Sequence, residues 1–313
     1  MNIFISTFES VTVLLGIGIV GFWIIRKKIL PETTLGLLSP LALEIALPSL
    51  VFVRILSDFS PNLLQDWWTM PLWWLLFMGI IALLTIVFSY ISKLETRSEF
   101  RISLFYQNAI FFPLAILSGM FGDASIYIVY LFLFTLFYPA FFFNTYYYFF
   151  KNQEVSIDWR RILNNVLIAT FIGLLIVFTG FQTQIPSVIV QIFSLLGAMT
   201  LPLIMLIIGG NIHIDYQRKG TLYLTEIVKF VVIKNIIFPL VIMGILLLLR
   251  PAFHIALLFI IQAAVPPVTS VPIFTGRAGG NQGIVNQFVV ASFILSLITI
   301  PIMISLFAYF FPF

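Results

Sequence analysis

Residues 108–122 read NAIFFPLAILSGMFG and residues 262–280 read QAAVPPVTSVPIFTGRAGG, and these two stretches decide the fold. Each is an apolar run interrupted near its middle by proline, Pro113 in the first and Pro266-Pro267 in the second. A proline inside a helix removes a backbone hydrogen bond and clashes with the preceding turn. In lipid the freed groups need other partners, so a broken helix persists where it is buried in protein or lines a cavity. Each break follows an amide side chain, Asn108 or Gln262. The two stretches also match one another. Pro113 and Pro267 are 154 residues apart, as are Asn108 and Gln262, Gly122 and Gly276, and Pro48 and Pro202.

Working outward, the rest of the chain is of the same apolar character. Of its 313 residues 61% are hydrophobic and 9% charged, with a mean hydropathy of +1.12. A soluble domain runs about 45–50% apolar and about 25% charged. Such a chain cannot cover its surface with polar groups in water, and its main partner is the lipid bilayer. Its apolar runs give ten spans, over residues 3–25, 38–56, 67–91, 103–121, 125–150, 163–180, 188–209, 225–249, 252–273 and 285–310. Five spans make residues 1–150, a short linker covers 151–162, and five more make 163–313. A repeat with an odd number of spans reverses its direction across the membrane, and two such halves are the pattern of an inverted-repeat secondary transporter. The expected fold is therefore an all-α membrane protein of ten transmembrane helices, with the broken fourth and ninth helices crossing.

Basic residues orient the chain. Alternate loops hold Arg26, Lys27, Lys28; Lys93, Arg97, Arg101; Lys151, Arg160, Arg161; Arg218, Lys219; and Arg277, against Arg54 and Arg250 on the other side. The basic side is expected in the cytoplasm, with both termini extracytoplasmic and the chain in the cell membrane. No signal peptide is read, because Met1-Asn2 lacks a basic stretch.

Polar groups around the crossing are the candidate substrate ligands: Gln107, Asn108, Asn144, Gln262, Thr269 and Ser270, with Pro113, Pro266 and Pro267 shaping it. Half-helix N-termini aimed at the crossing would seat an anion. Two ionisable groups lie within spans. Glu44 is six residues into the second and Lys234 nine residues into the eighth, about 9 and 13 Å deep at 1.5 Å per residue. Charges at depth mark ion paths, relays or counter-ions, so both are candidate ion-coupling residues; a structural Glu44–Lys234 pair is the competing reading. Glu226 and Lys229 read as snorkelling at the cytoplasmic end. The runs Phe141–Phe143 and Tyr146–Tyr148 read as lipid-facing or interfacial. Residues 16–21, GIGIVG, spell a dinucleotide fingerprint but lie inside a span with no preceding strand, and read as helix packing. His213 and His254 read as isolated, on opposite sides of the membrane, and there is no Cys, so no metal site or cofactor is expected. With no clustered acid pair, P-loop lysine or Ser/His/Asp set, no enzyme chemistry is expected, and the apolar composition leaves no room for a nucleic-acid module.

The chain resembles the auxin efflux carrier family of membrane transporters, whose bacterial members include dicarboxylate permeases. The resemblance rests on residues 38–52 (LSPLALEIALPSLVF), 108–122, 201–212 (LPLIMLIIGGNI) and 262–280. It implies two inverted five-helix repeats, as in sodium/proton antiporters and bile-acid symporters, and a homodimer. Asn108 with Pro113, and Gln262 with Pro266 and Pro267, match the family's crossover positions, and Asn144 its amide in span five. Glu44 departs from the amide or neutral residue the family has there, which raises proton coupling. The short linker suits a bacterial member. The expected function is secondary transport of a small organic anion, a carboxylate such as malate or malonate. The alternatives are a hydrophobic auxin-like carboxylate, sodium-coupled symport, and a channel or transport-like sensor.

Overall fold

A computed structural model describes residues 3–62, 64, 66–150, 163–217 and 221–312, without the side chains of 215 and 216. The linker and the basic residues Lys151, Arg160, Arg161, Arg218 and Lys219 lie outside the described residues. The helices are α1 (Ile3–Arg26), α2 (Thr33–Pro40), α3 (Leu47–Asp58), α4 (Met70–Ser89), α5 (Arg97–Phe105), α6 (Phe111–Phe121), α7 (Ile126–Phe134) and α8 (Tyr138–Thr145). They continue as α9 (Asn165–Phe178), α10 (Ser187–Ala198), α11 (Thr200–Gln217), α12 (Leu224–Val232), α13 (Phe238–Leu249), α14 (Phe253–Ala264), α15 (Val271–Arg277) and α16 (Gln282–Phe310). Among the described residues seven helical stretches are long and apolar enough to cross a bilayer, and α6, α9 and α14 are shorter apolar helices.

Two joints have a common origin. Between α2 and α3, residues Leu41–Ala46 form a π-helical turn, and Ile233–Ile237 form another between α12 and α13. Each is followed by a proline at the second position of the next helix, Pro48 or Pro239. Leu47 N bonds Ala42 O and Phe238 N bonds Ile233 O, five residues back rather than four. Proline has no N–H for the carbonyl four residues before it, and here the helix has widened locally rather than broken. Both intramembrane candidates, Glu44 and Lys234, sit in these turns.

One group of helices, α1, α3, α9, α10 and α11, packs on itself; α1 also lies against α6 and α16. In the other group, Phe100, Phe230 and Phe288 join α5, α12 and α16, and Phe77, Phe134 and Phe259 join α4, α7 and α14. Small residues let membrane helices approach closely, and the 16–21 run does so: a methyl on Gly21 would lie 2.2 Å from Leu206 O of α11. On the facing helix, a methyl on Gly209 would lie 1.7 Å from Gly18 O, whereas Gly16 has nothing within 4 Å. Gly209→Ala is therefore expected to cost about 1–3 kcal/mol through overpacking. A thermal melt in detergent should show a clear drop for Gly209→Ala and none for Gly16→Ala.

Candidate functional site: two paired helix breaks

α5 ends at Phe105 and α6 begins at Phe111; α14 ends at Ala264 and α15 begins at Val271. Between these ends the two chains run antiparallel and pair, with Gln107 opposite Pro267. Asn108 N donates to Pro266 O at 2.8 Å, and Val268 N donates to Tyr106 O at 3.0 Å. Gln107 and Pro267 form the non-hydrogen-bonded pair between these bonds. Pro267 thus sits where its missing N–H costs nothing, and Pro266 contributes only a carbonyl. Each proline also holds its predecessor extended, and Val265 has φ −73° and ψ 150°.

The helix starts correct the register of the internal match. Pro113 is the third residue of α6, and its counterpart is Pro272, the second residue of α15, not Pro267. Both occupy a first helical turn, where no N–H is needed. Likewise Gly122 (φ +84°) closes α6, whereas Gly276 lies inside α15 and the left-handed glycine after it is Gly279 (φ +79°). Asn108 lies within the first break and Gln262 in the last turn of α14, so they too are not equivalent.

They meet nonetheless. Gln262 Nε2 donates to Ala109 O at 2.7 Å, and Asn108 Oδ1 accepts from Phe111 N at 3.3 Å, capping α6. One of the half-helix N–H groups expected to seat an anion is thus already taken. Because Ala109 O can only accept and Phe111 N can only donate, both amide orientations follow. Left buried and without a partner are Asn108 Nδ2, Gln262 Oε1 and Gln107 Oε1. Gln107 Nε2 reaches Met78 Sδ at 3.5 Å, and the Gln107 backbone carbonyl accepts from Tyr138 Oη at 2.5 Å. Thr269 and Ser270 are half-buried beside the second break. Asn144 donates to Ala140 O of its own helix at 2.9 Å.

Glu44 and Lys234 are not a pair. Lys234 is 1% exposed and donates to Ala263 O at 3.3 Å. Glu44 is exposed, and Asn165 Nδ2 donates both to its Oε2 at 2.8 Å and to its backbone carbonyl at 3.2 Å. That carbonyl is the one Pro48 leaves without its usual helical donor. Asn165 belongs to the first turn of α9, whose positive end favours a carboxylate.

A cavity of about 650 Å³ lies between α1, α3, α10 and α11 on one side and α6 on the other. Its wall on α6 includes Leu114, one turn from the first residue of that helix, and Ser118. Arg54 lines it opposite two carboxylates, Glu9 and Asp123. Arg54 also meets Asp58 at 3.4 Å.

A family model described as membrane transport protein matches residues 6–159 and 149–304. The chain belongs to the auxin efflux carrier family. It is an all-α, multi-pass membrane transporter. A search of curated proteins returned no match.

In this auxin efflux carrier family member several residues at the site were not foreseen from sequence. Tyr106 Oη and Thr145 Oγ1 are 2.6 Å apart, and Tyr106 stacks edge-on against Phe142 at 4.8 Å. Phe142, Phe143 and Tyr146 all pack on Phe274 of α15. The aromatic run is therefore partly buried against both breaks rather than simply lipid-facing. Glu226 does not snorkel. It is 2% exposed and binds Ser92 Oγ at 2.9 Å and Lys229 Nζ at 2.8 Å, while Lys229 also donates to Ile91 O. Nor is His254 isolated: its Nε2 lies 2.7 Å from Asp66 Oδ2, and its ring stacks on Tyr130 at 4.2 Å. Among the described residues no cluster of three metal-ligating side chains occurs.

Proposed function

We propose that this transporter is a secondary carrier, not an enzyme, that moves a small organic anion by alternating access, a carboxylate such as malate or malonate. The observation that carries this reading is the set of buried, unpartnered amide atoms around the paired breaks, one donor and two acceptors. A buried polar atom without a partner costs about 1–3 kcal/mol, and a transiently bound polar ligand would supply the missing partners. Asn108 Nδ2 suits a carboxylate oxygen; the glutamine oxygens suit a hydroxyl or a protonated carboxyl. A hydroxy acid, or a dicarboxylate carrying one proton, offers both. Lys234 beside Ala263 adds positive charge next to Gln262.

The cavity supports entry of the anion together with a proton, since Glu9 and Asp123 outnumber Arg54 there and an acidic lining repels a bare dianion. The basic loops support a cytoplasmic linker, extracytoplasmic termini and a place in the cell membrane. The resemblance supports two halves, 1–150 and 163–313, and a homodimer.

Counterflow of radiolabelled malate and malonate in proteoliposomes tests the reading. Saturable counterflow supports a carrier; channel-like flux supports the channel alternative; failure to exchange any carboxylate removes the anion reading. Glu44 is our candidate proton carrier. Glu44→Gln keeps an oxygen for Asn165, so it should leave folding and exchange intact while abolishing proton-driven accumulation. Full proton-driven uptake by that variant would show that Glu44 does not couple.

A further inference from the structure

The turn between α4 and α5 stands on buried polar groups. α4 ends at Ser89 and α5 begins at Arg97. Between them Ser92 and Thr96 are buried, with their hydroxyls 3.0 Å apart, and Ser92 Oγ donates to Glu226 Oε2 of α12 at 2.9 Å. Lys229 Nζ pairs with the other Glu226 oxygen and also donates to Ile91 O at 3.0 Å. The buried Glu226 carboxylate, satisfied by a hydroxyl and an ammonium, thus holds the turn from beneath. What the turn presents outward is fixed in place.

It presents two cations around one ring. Tyr90 is 64% exposed, and the guanidinium carbons of Arg97 and Arg101 lie 5.1 and 6.0 Å from its ring centroid. The two arginines are one helical turn apart on α5, where like charges repel. Each is anchored by one bond, Arg101 Nε on Ser89 Oγ at 3.0 Å and a terminal nitrogen of Arg97 on Ser92 O at 3.4 Å. Arg97 Nε has no partner. Among the described residues no carboxylate lies within ion-pair distance of either guanidinium. Glu99 stands between them in sequence but is buried and accepts from Asn281 N at 2.8 Å. Lys93 and Glu95 are exposed on the same turn and offset one another.

Apolar surface adjoins the cations. Ile91 and Leu94 are 48% and 79% exposed. Tyr90 caps a 20-residue apolar helix, and an aromatic residue at the end of a span sits at headgroup level. Forked guanidinium donors match a phosphate, and the anionic leaflet attracts such cations. Free phosphate would leave Ile91 and Leu94 uncovered, whereas a phospholipid covers them with its acyl chains.

We infer that the corner between α4 and α5 is a binding site for an anionic phospholipid, with its phosphate held by Arg97 and Arg101 and its chains lying along Tyr90, Ile91 and Leu94. The corner is on the side that the basic loops assign to the cytoplasm. α5 leads directly into the first break, and Arg101 stands four residues before its end at Phe105. A lipid held there anchors the first half of the broken fourth span to the leaflet. The inference does not depend on which cargo is carried.

The test uses the purified full chain in detergent. Melting temperature is measured with added dioleoylphosphatidylglycerol, dioleoylphosphatidylcholine or inorganic phosphate, and binding of a fluorescent phosphatidylglycerol is titrated. Phosphatidylglycerol should raise the parental melting temperature; phosphatidylcholine and inorganic phosphate should not. Arg97→Gln with Arg101→Gln should lose that rise and bind the fluorescent lipid at least tenfold more weakly. Changing the exposed Arg26, Lys27 and Lys28 to glutamine removes more charge from the end of α1 and should leave both readouts at the parental level. Equal stabilisation by phosphatidylcholine, stabilisation by inorganic phosphate alone, or parental lipid binding by the double arginine variant would each overturn the inference. So would an equal loss in the α1 variant, which would reduce the effect to overall charge. If the parental protein ignores the lipid and only a Glu154→Gln, Asp158→Asn variant responds, the linker's carboxylates are the occupant and the inference falls. Should the double arginine variant not fold, Leu94→Asp at its exposed position decides: weakened lipid binding with an unchanged melt in phosphatidylcholine supports the site, and parental binding overturns it.

Discussion

With Pro266 and Pro267 both changed to alanine, transport should fall at least a hundredfold, to the level of empty liposomes, while the protein still inserts and purifies. The two prolines hold Val265 and Pro266 extended, since a residue before proline is kept out of the helical region. Alanine at both positions returns two N–H donors to Gln262 O and Ala263 O, and α14 can then continue toward Pro272. The bonds from Asn108 N to Pro266 O and from Val268 N to Tyr106 O cannot survive that change. The single variant Pro267→Ala should be milder, because Pro266 still keeps Val265 extended and the paired position asks nothing of the residue 267 N–H. Uptake assays on the two variants side by side check the ranking. Parental transport by the double variant would mean that the break plays no part in transport.

Asn108→Asp should separate structure from substrate at the same place. Asn108 Oδ1 caps α6 by accepting from Phe111 N, and an aspartate oxygen does this as well or better at the positive end of a helix. What disappears is the unpartnered donor Nδ2, replaced by an oxygen that repels a carboxylate. The melting temperature should hold while exchange of malate or malonate drops at least tenfold. Asn108→Ala should lower both, since the Phe111 N–H then loses its side-chain acceptor as well. A rate for Asn108→Asp equal to that of the parent would place the anion elsewhere.

The breaks were legible in the sequence because a proline's missing N–H is a local fact, true whatever the rest of the chain does. The internal register was not. A constant offset of 154 presupposes equal connecting segments, and it holds for Pro48 and Pro202, each in the first turn of its helix, α3 or α11. It slips at the breaks, where the first-turn proline of α15, Pro272, stands 159 residues after that of α6, Pro113. Burial of Glu226 could not be read, since its partner Ser92 lies 134 residues from it. The same holds for Glu44, whose partner Asn165 lies beyond the linker, although Pro48 did announce that the Glu44 carbonyl would need a donor. Tyr106 and Tyr138 were hidden for another reason: in stretches that are apolar all round, no periodicity marks which aromatic ring turns inward.

The backbone pairing of the breaks has a mechanical consequence. Two hydrogen bonds and the Gln262 to Ala109 contact rivet α5, α6, α14 and α15 into one body, so the candidate binding groups must travel together if they travel at all. A body of that kind would slide against α1, which meets α16 and, at one seam, α6. It is held there by the Ser6 hydroxyl on the Gly119 carbonyl at 3.2 Å, and a methyl on Gly119 would lie 1.8 Å from Ser10 Oγ. A larger side chain at Gly119, which also lines the cavity beside α1, would act as a brake on any such sliding.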